Sequence, residues 1–145
     1  MQEYPHHYHV QTSVNYEGNV SVNSQGLDTI VSAPPQEFGG PGDRWSPETL
    51  LVAAVADCFV LSFRAVAKGF KFSWISLNCK TEGVLSRVGK SVQFTEFHIQ
   101  ATLQIASEED REKASKLLSK ADAICLISNS LKAESHLTST IEIGS

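Results

Sequence analysis

Ser46-Pro47-Glu48-Thr49-Leu50-Leu51-Val52-Ala53-Ala54-Val55-Ala56-Asp57-Cys58-Phe59 is the stretch on which the fold turns. Ser is a good N-cap, Pro is tolerated at the first helical position, and Glu favours the positive end of the helix dipole. A helix therefore opens at Ser46 and is predicted to run to about Lys68, with Gly69 near its C-cap. From Leu50 to Val66 the pattern is apolar on nearly every side. In a soluble protein such a helix is buried all round, in a core or an oligomer interface. One small sheet gives it too little cover, which predicts an obligate homodimer.

Working outward, residues 8–32 are rich in Val, Thr, Tyr and Ser, with Glu17-Gly18-Asn19 and Ser24-Gln25-Gly26 as turn signals. They read as a meander of short strands. Ala33-Pro34-Pro35 and Gly39-Gly40-Pro41-Gly42-Asp43-Arg44-Trp45 make residues 33–45 a loop. Downstream, residues 71–84 and 91–105 read as two long strands with a turn near Ser86 to Gly89. In the second, Phe97, Ile99, Ala101, Leu103 and Ile105 alternate with His98, Gln100, Thr102 and Gln104, giving one buried and one wet face. Ser107-Glu108-Glu109-Asp110 starts another helix, whose apolar stripe is Ala114, Leu117, Leu118 and Ala121. A short helix or turn follows from Cys125 to Leu131, and a strand spans about His136 to Ile143. Runs of strands between helices indicate the α+β class.

The 145 residues have the usual size of one domain, and 41% hydrophobic content is ordinary for a globular chain. A net charge of −4 with no basic run argues against a nucleic-acid or anionic-membrane partner. The N-terminus, Met-Gln-Glu-Tyr-Pro-His-His-Tyr-His, has no apolar core of a signal peptide. The longest apolar run, Leu50 to Phe63, is shorter than the ~20 residues of a bilayer span. These features lead us to expect a soluble, cytoplasmic protein.

Three cysteines, Cys58, Cys79 and Cys125, form no CxxC pair and no zinc-site spacing. Each is a buried thiol, a reactive thiol or part of a long-range redox pair. Asp57 beside Cys58 pulls both ways. A carboxylate in so apolar a helix hints at a functional site, yet it raises a neighbouring thiol's pKa, so a reactive Cys58 needs a nearby cation. Cys79, mid-strand with no second feature, reads as structural. His6, His7 and His9 lie near a terminus with no acidic partner placed by sequence and do not read as a metal site. No cofactor-binding motif is present.

The quoted stretch resembles the signature of the OsmC/Ohr family, in which Asn-Pro-Glu-x-Leu leads through Ala-rich residues to Cys-Phe. The interval from Glu48 to Cys58 matches. A second signature also resembles the family's: Cys125, then Ser128, then Leu131-Lys132-Ala133-Glu134 leading into the last strand. The resemblance covers essentially residues 1–145 as a single domain. It implies antiparallel sheets wrapped around a long buried central helix, in an intertwined homodimer. It implies reduction of organic hydroperoxides or hydrogen peroxide, with Cys58 as the peroxidatic thiolate and Cys125 as the resolving thiol. It also implies a dithiol reductant, dihydrolipoyl groups in the Ohr branch, and no bound cofactor or metal. Glu48 matches the glutamate that orients an arginine over the thiolate. The sequence departs from the family pattern in three places. No Arg precedes Arg44, which becomes the candidate cation; Asp57 replaces a small residue; and Leu126 stands where many members have Pro. Glu48 and Cys58 are separated by ~15 Å of helical rise. The expected arrangement is therefore two such helices packed antiparallel, with Glu48 and Arg44 of one chain near Cys58 of the other. The competing reading is a non-enzymatic dimer that binds a small ligand or senses redox state.

Overall fold

The computed structural model describes residues 2–144. The chain falls into two compact units, one ending at Leu50 and the other beginning at Leu51. The boundary lies in the first turn of helix α1, Pro47–Gly69.

The N-terminal unit holds an antiparallel meander of β1 (Gln11–Ser13), β2 (Val20–Asn23) and β3 (Ile30–Ser32). Its turns fall at the two Gly-containing signals, with Gly18 at φ +101° and Gly26 at φ +79°. The following loop includes one 3-10 turn, Gln36–Phe38, and returns to β3. There Ala33 N–H donates to Trp45 C=O at 2.9 Å. This return holds Arg44 and Trp45 beside the sheet and delivers Ser46, 2% exposed, as the cap of α1. Thr49 N–H donates to Ser46 Oγ at 3.1 Å, and Ser46 N–H donates to Thr49 Oγ1 at 2.8 Å. The pair is a reciprocal capping box with Thr in the place usually held by Glu, and such a cap stabilises the helix by about 1 kcal/mol.

In the second unit, β4 (Ser76–Val88), β5 (Ser91–Ile105) and β6 (Glu134–Ile143) form one sheet in that order. The face of β5 predicted to be dry is buried: Phe97, Ile99, Ala101, Leu103 and Ile105 are all 2% exposed or less. Against it pack α1, through Val55, Phe59, Phe63 and Val66, and α2 (Arg111–Ile124), through Ala114, Leu117, Leu118 and Ala121. Gly83 in β4 lies under this layer. A Cβ there would meet Val52 Cγ2 at 2.7 Å and the Cε1 atoms of Phe94 and Phe97 at 3.0 Å. Gly83→Ala is therefore expected to destabilise the protein by ~1–3 kcal/mol through overpacking. A lower urea midpoint with an unchanged m-value checks this.

The structure departs from the sequence expectations in several places. α1 ends at Gly69, but its C-terminal motif is built on Lys71, not on Gly69. Phe72 N–H reaches Ala67 C=O at 2.8 Å, Lys71 N–H reaches Lys68 C=O at 3.1 Å, and Lys71 takes φ +54°. This is a Schellman closure with a lysine in the left-handed position. It consumes residues 70–72, so β4 starts at Ser76 and not at 71. The hairpin closes with Val88 opposite Ser91, around Gly89 at φ +62°. The sheets are not all antiparallel: β6 runs parallel to β5, with Glu96 opposite Glu134 and Ile105 opposite Ile143. Parallel pairing needs a long crossover, and α2 with α3 (Leu126–Asn129) supplies it. Finally, within one chain α1 is buried along a stripe and not all round. Val55, Phe59 and Phe63 are fully enclosed, while Leu61 is 45% exposed. By length and composition Pro47–Gly69 is also apolar enough to cross a bilayer.

Candidate redox site

Cys58 follows the core residue Val55 by one helical turn and precedes Phe59, so it sits on the shoulder of the buried stripe and is half-buried. One turn on, Ser62 Oγ lies 3.9 Å from its sulfur. Cys125 comes from the other side of the core. It is fully buried at the break between α2 and α3, where its extended backbone (φ −60°, ψ 106°) ends one helix and caps the next. That break frees the first N–H groups of α3 from helical bonding. The turn is braced by Asn129 N–H to Cys125 C=O at 3.0 Å, Asn129 Nδ2 to Ala123 C=O at 3.0 Å and Ser130 Oγ to Leu126 C=O at 2.7 Å.

The two thiols are neighbours that act on each other's ionisation, and their environments differ. Burial opposes ionisation of Cys58. The backbone N–H of Ile127, the Cys125 thiol, the Ser62 hydroxyl and the Leu126 N–H outweigh it, and hold the Cys58 pKa below a thiol's ordinary value. Burial pushes the Cys125 thiol up; hydrogen bonds from Ser128 lean the other way, and the neighbouring Cys58 adds to the rise. The pair is thus polarised, with ionisation favoured at Cys58 and disfavoured at Cys125. Within one chain the groups that lower Cys58 are two backbone amides, a thiol and a hydroxyl. Asp57, one residue away and ~100° round the helix, is exposed.

Arg44 and Glu48 belong to the N-terminal unit. Arg44 is exposed and borders an open hollow of about 750 Å³ lined also by Thr29, Val31, Asp43, Trp45 and Thr49. Glu48 has its Oε1 buried with no hydrogen-bond partner. Among the described residues no salt bridge joins the two within the chain. Cys79 lies on β4 opposite Ala101, and burial pushes its thiol up to about 11, an unreactive value at neutral pH. His6, His7 and His9 are exposed, with His6 stacked on Tyr4 at 4.6 Å.

Sequence reasoning missed Ser62 and the backbone amides of Leu126 and Ile127. Ser62 was within reach, since i and i+4 share a helix face. The amides carry no side-chain signal.

Comparisons with known proteins agree with this architecture. The family model described as OsmC-like protein matches residues 40–140. An organic hydroperoxide resistance protein of Xanthomonas axonopodis pv. citri is 29% identical, over 92% of this chain and 92% of its own. The uncharacterized protein YmaD of Bacillus subtilis is 25% identical, over 96% and 97%. Among solved structures, an OsmC-like protein of unknown function from Vibrio cholerae superposes with a TM-score of 0.86 at 16% identity, covering 94% of this chain and 100% of that one. An organic hydroperoxide resistance protein from Legionella pneumophila gives a TM-score of 0.76 at 23% identity, covering 97% and 100%.

Proposed function

This chain belongs to the family of OsmC-like proteins, and from that premise we propose that it is a cytoplasmic thiol-dependent peroxidase acting on organic hydroperoxides or hydrogen peroxide. The observation that carries the reading is the polarised pair, a Cys58 thiol whose ionisation is favoured beside a Cys125 thiol whose ionisation is disfavoured. The Cys58 thiolate attacks one oxygen of the O–O bond. The other oxygen leaves, takes a proton and departs as alcohol or water, and Cys58 becomes a sulfenic acid. The Cys125 sulfur then attacks the Cys58 sulfur. The sulfenic oxygen leaves as water, and a disulfide forms. An external dithiol, of the dihydrolipoyl type, reduces the disulfide by exchange and is itself oxidised. No bound cofactor or metal takes part.

The working unit in this reading is a homodimer. The apolar surface of α1 beyond the Val55–Phe63 stripe, Leu61 included, packs on α1 of a second copy running antiparallel. Such a helix suits a buried interface as well as it suits a bilayer. Glu48 of one copy then comes to Cys58 of the other and holds a guanidinium, that of Arg44, over the reacting oxygens. A carboxylate oxygen buried without a partner, as Glu48 Oε1 is, calls for such a donor.

The test is consumption of tert-butyl hydroperoxide with dihydrolipoamide as reductant. The parent protein is expected to turn over well above free thiol. Arg44→Ala is expected to lower kcat/KM by ~10²-fold or more, the scale of losing one charge-stabilising donor, with the sedimentation behaviour of the dimer retained. Parent activity no greater than free dithiol removes the enzymatic reading; an Arg44→Ala protein as fast as the parent removes the arginine from it.

A further inference from the structure

The tripeptide pattern Glu-x-His occurs twice, at Glu96-Phe97-His98 and Glu134-Ser135-His136. The parallel pairing of β5 with β6 places the two copies in register, Glu96 opposite Glu134 and His98 opposite His136. Phe97 between them is buried, so the four polar side chains share the opposite, wet face. There the two imidazoles stack, with ring centroids 5.1 Å apart and planes 17° from parallel. The Glu96 carboxylate spans both: Oε2 is 3.2 Å from His98 Nε2, and Oε1 is 3.8 Å from His136 Nε2. Glu134 Oε2 is 3.6 Å from the same His136 nitrogen. Beyond His98 across β4 stands Glu82, and a hollow of about 260 Å³ borders His98, Lys80, Thr81, Glu82 and Gln100.

We propose that the Glu96, His98, Glu134 and His136 side chains form a zinc-class divalent cation site on the wet face of this sheet, separate from the thiol pair. The donor types are those of a zinc centre, two imidazole nitrogens and carboxylate oxygens. Their spacing fits as well. Bonds of about 2.0–2.2 Å in tetrahedral geometry put neighbouring donors roughly 3.3 Å apart, and the gaps here are 3.2, 3.6 and 3.8 Å. As they stand, these side chains pair with one another, and among the described residues no three of them surround a common metal position, so the site forms only if the side chains turn. The rings lie parallel, so an imidazole turns about its Cβ–Cγ bond to bring both lone pairs inward. Half-exposed side chains on a solvated face have room for that rotation. The hollow beside His98 leaves space for water as a further ligand.

The test uses a protein with Cys58→Ser, Cys125→Ser and His6, His7 and His9 changed to Ala, so that neither the Cys58–Cys125 pair nor the exposed N-terminal histidines compete. Calorimetric titration with Zn²⁺ is expected to give one site per chain. Co²⁺ is expected to show the visible absorption of a low-symmetry nitrogen–oxygen site. Zn²⁺ is expected to raise Tm, as any ligand selective for the native state does. His98→Asn and His136→Asn are each expected to weaken binding at least tenfold and to abolish the Tm rise. The metal-free Tm of each variant reports whether the fold survives the change. Absence of heat and of a Tm shift in the background protein overturns the site. So does binding that is indifferent to His98→Asn and His136→Asn in variants whose metal-free Tm matches the background.

Discussion

Cys58→Ser is expected to reduce hydroperoxide consumption to the level of the dithiol alone, whereas Cys125→Ser is expected to consume about one equivalent of peroxide per chain and then stall. The two outcomes differ because the two thiols are held differently. Only Cys58 is biased toward thiolate, by amide, thiol and hydroxyl donors that outweigh its burial. Cys125 is fully enclosed, and its ionisation is disfavoured. Without Cys125 the sulfenic acid has no partner, so it persists and is trapped by dimedone. Mass spectrometry of the intact variant, with and without the trap, reads the result directly. The parent's rate is also expected to rise with pH through the Cys58 pKa, which lies below that of an ordinary thiol, and to level off before free thiols finish titrating. A Cys125→Ser protein that turns over repeatedly would show that the disulfide route is not used.

The second large effect comes from a residue whose side chain does nothing at the site. Leu126 is 66% exposed, yet its backbone N–H is one of the groups that lower the Cys58 pKa. Proline at this position removes that N–H and little else. Leu126 is the first residue of α3, where proline is at home, and Cys125 before it is already extended. Leu126→Pro is expected to raise the Cys58 pKa and slow its alkylation at neutral pH about tenfold, the scale of one hydrogen bond to a charged group. Leu126→Ala keeps the amide and is expected to react like the parent. Iodoacetamide kinetics against pH separates the two. Equal profiles for Leu126→Pro and the parent would mean that the other donors suffice.

The features legible in the sequence were those that side-chain pattern dictates. Ser46-Pro47-Glu48 marked the start of α1, and the alternation from Phe97 to Ile105 marked the buried face of β5. Leu117 and Leu118 marked the stripe of α2. The direction of β6 was not legible, because a period of two is the same read either way. Nor was the helix end at Lys71, since left-handed backbone normally announces itself with Gly or Asn, and Gly69 drew the eye. At the site, the cysteines could be picked out by their flanking residues. The source of Cys58's acidity could not, because two of its donors are peptide groups, which every residue but proline carries. Leu126 was noticed only as the absence of a proline; the structure gives that absence a physical meaning.

The parallel register of β6 also sets an order in time. During synthesis the β4–β5 hairpin can close as soon as it emerges, since its partners are near neighbours in the chain. The third strand pairs Glu96 with Glu134 only after the whole helical crossover has been made, and such long-range closures are the slow ones. Cys125 sits on that crossover, just ahead of β6. A nascent chain therefore carries Cys58 for some while before its partner thiol is seated beside it. The pairing of these two thiols is among the last features of the chain to form.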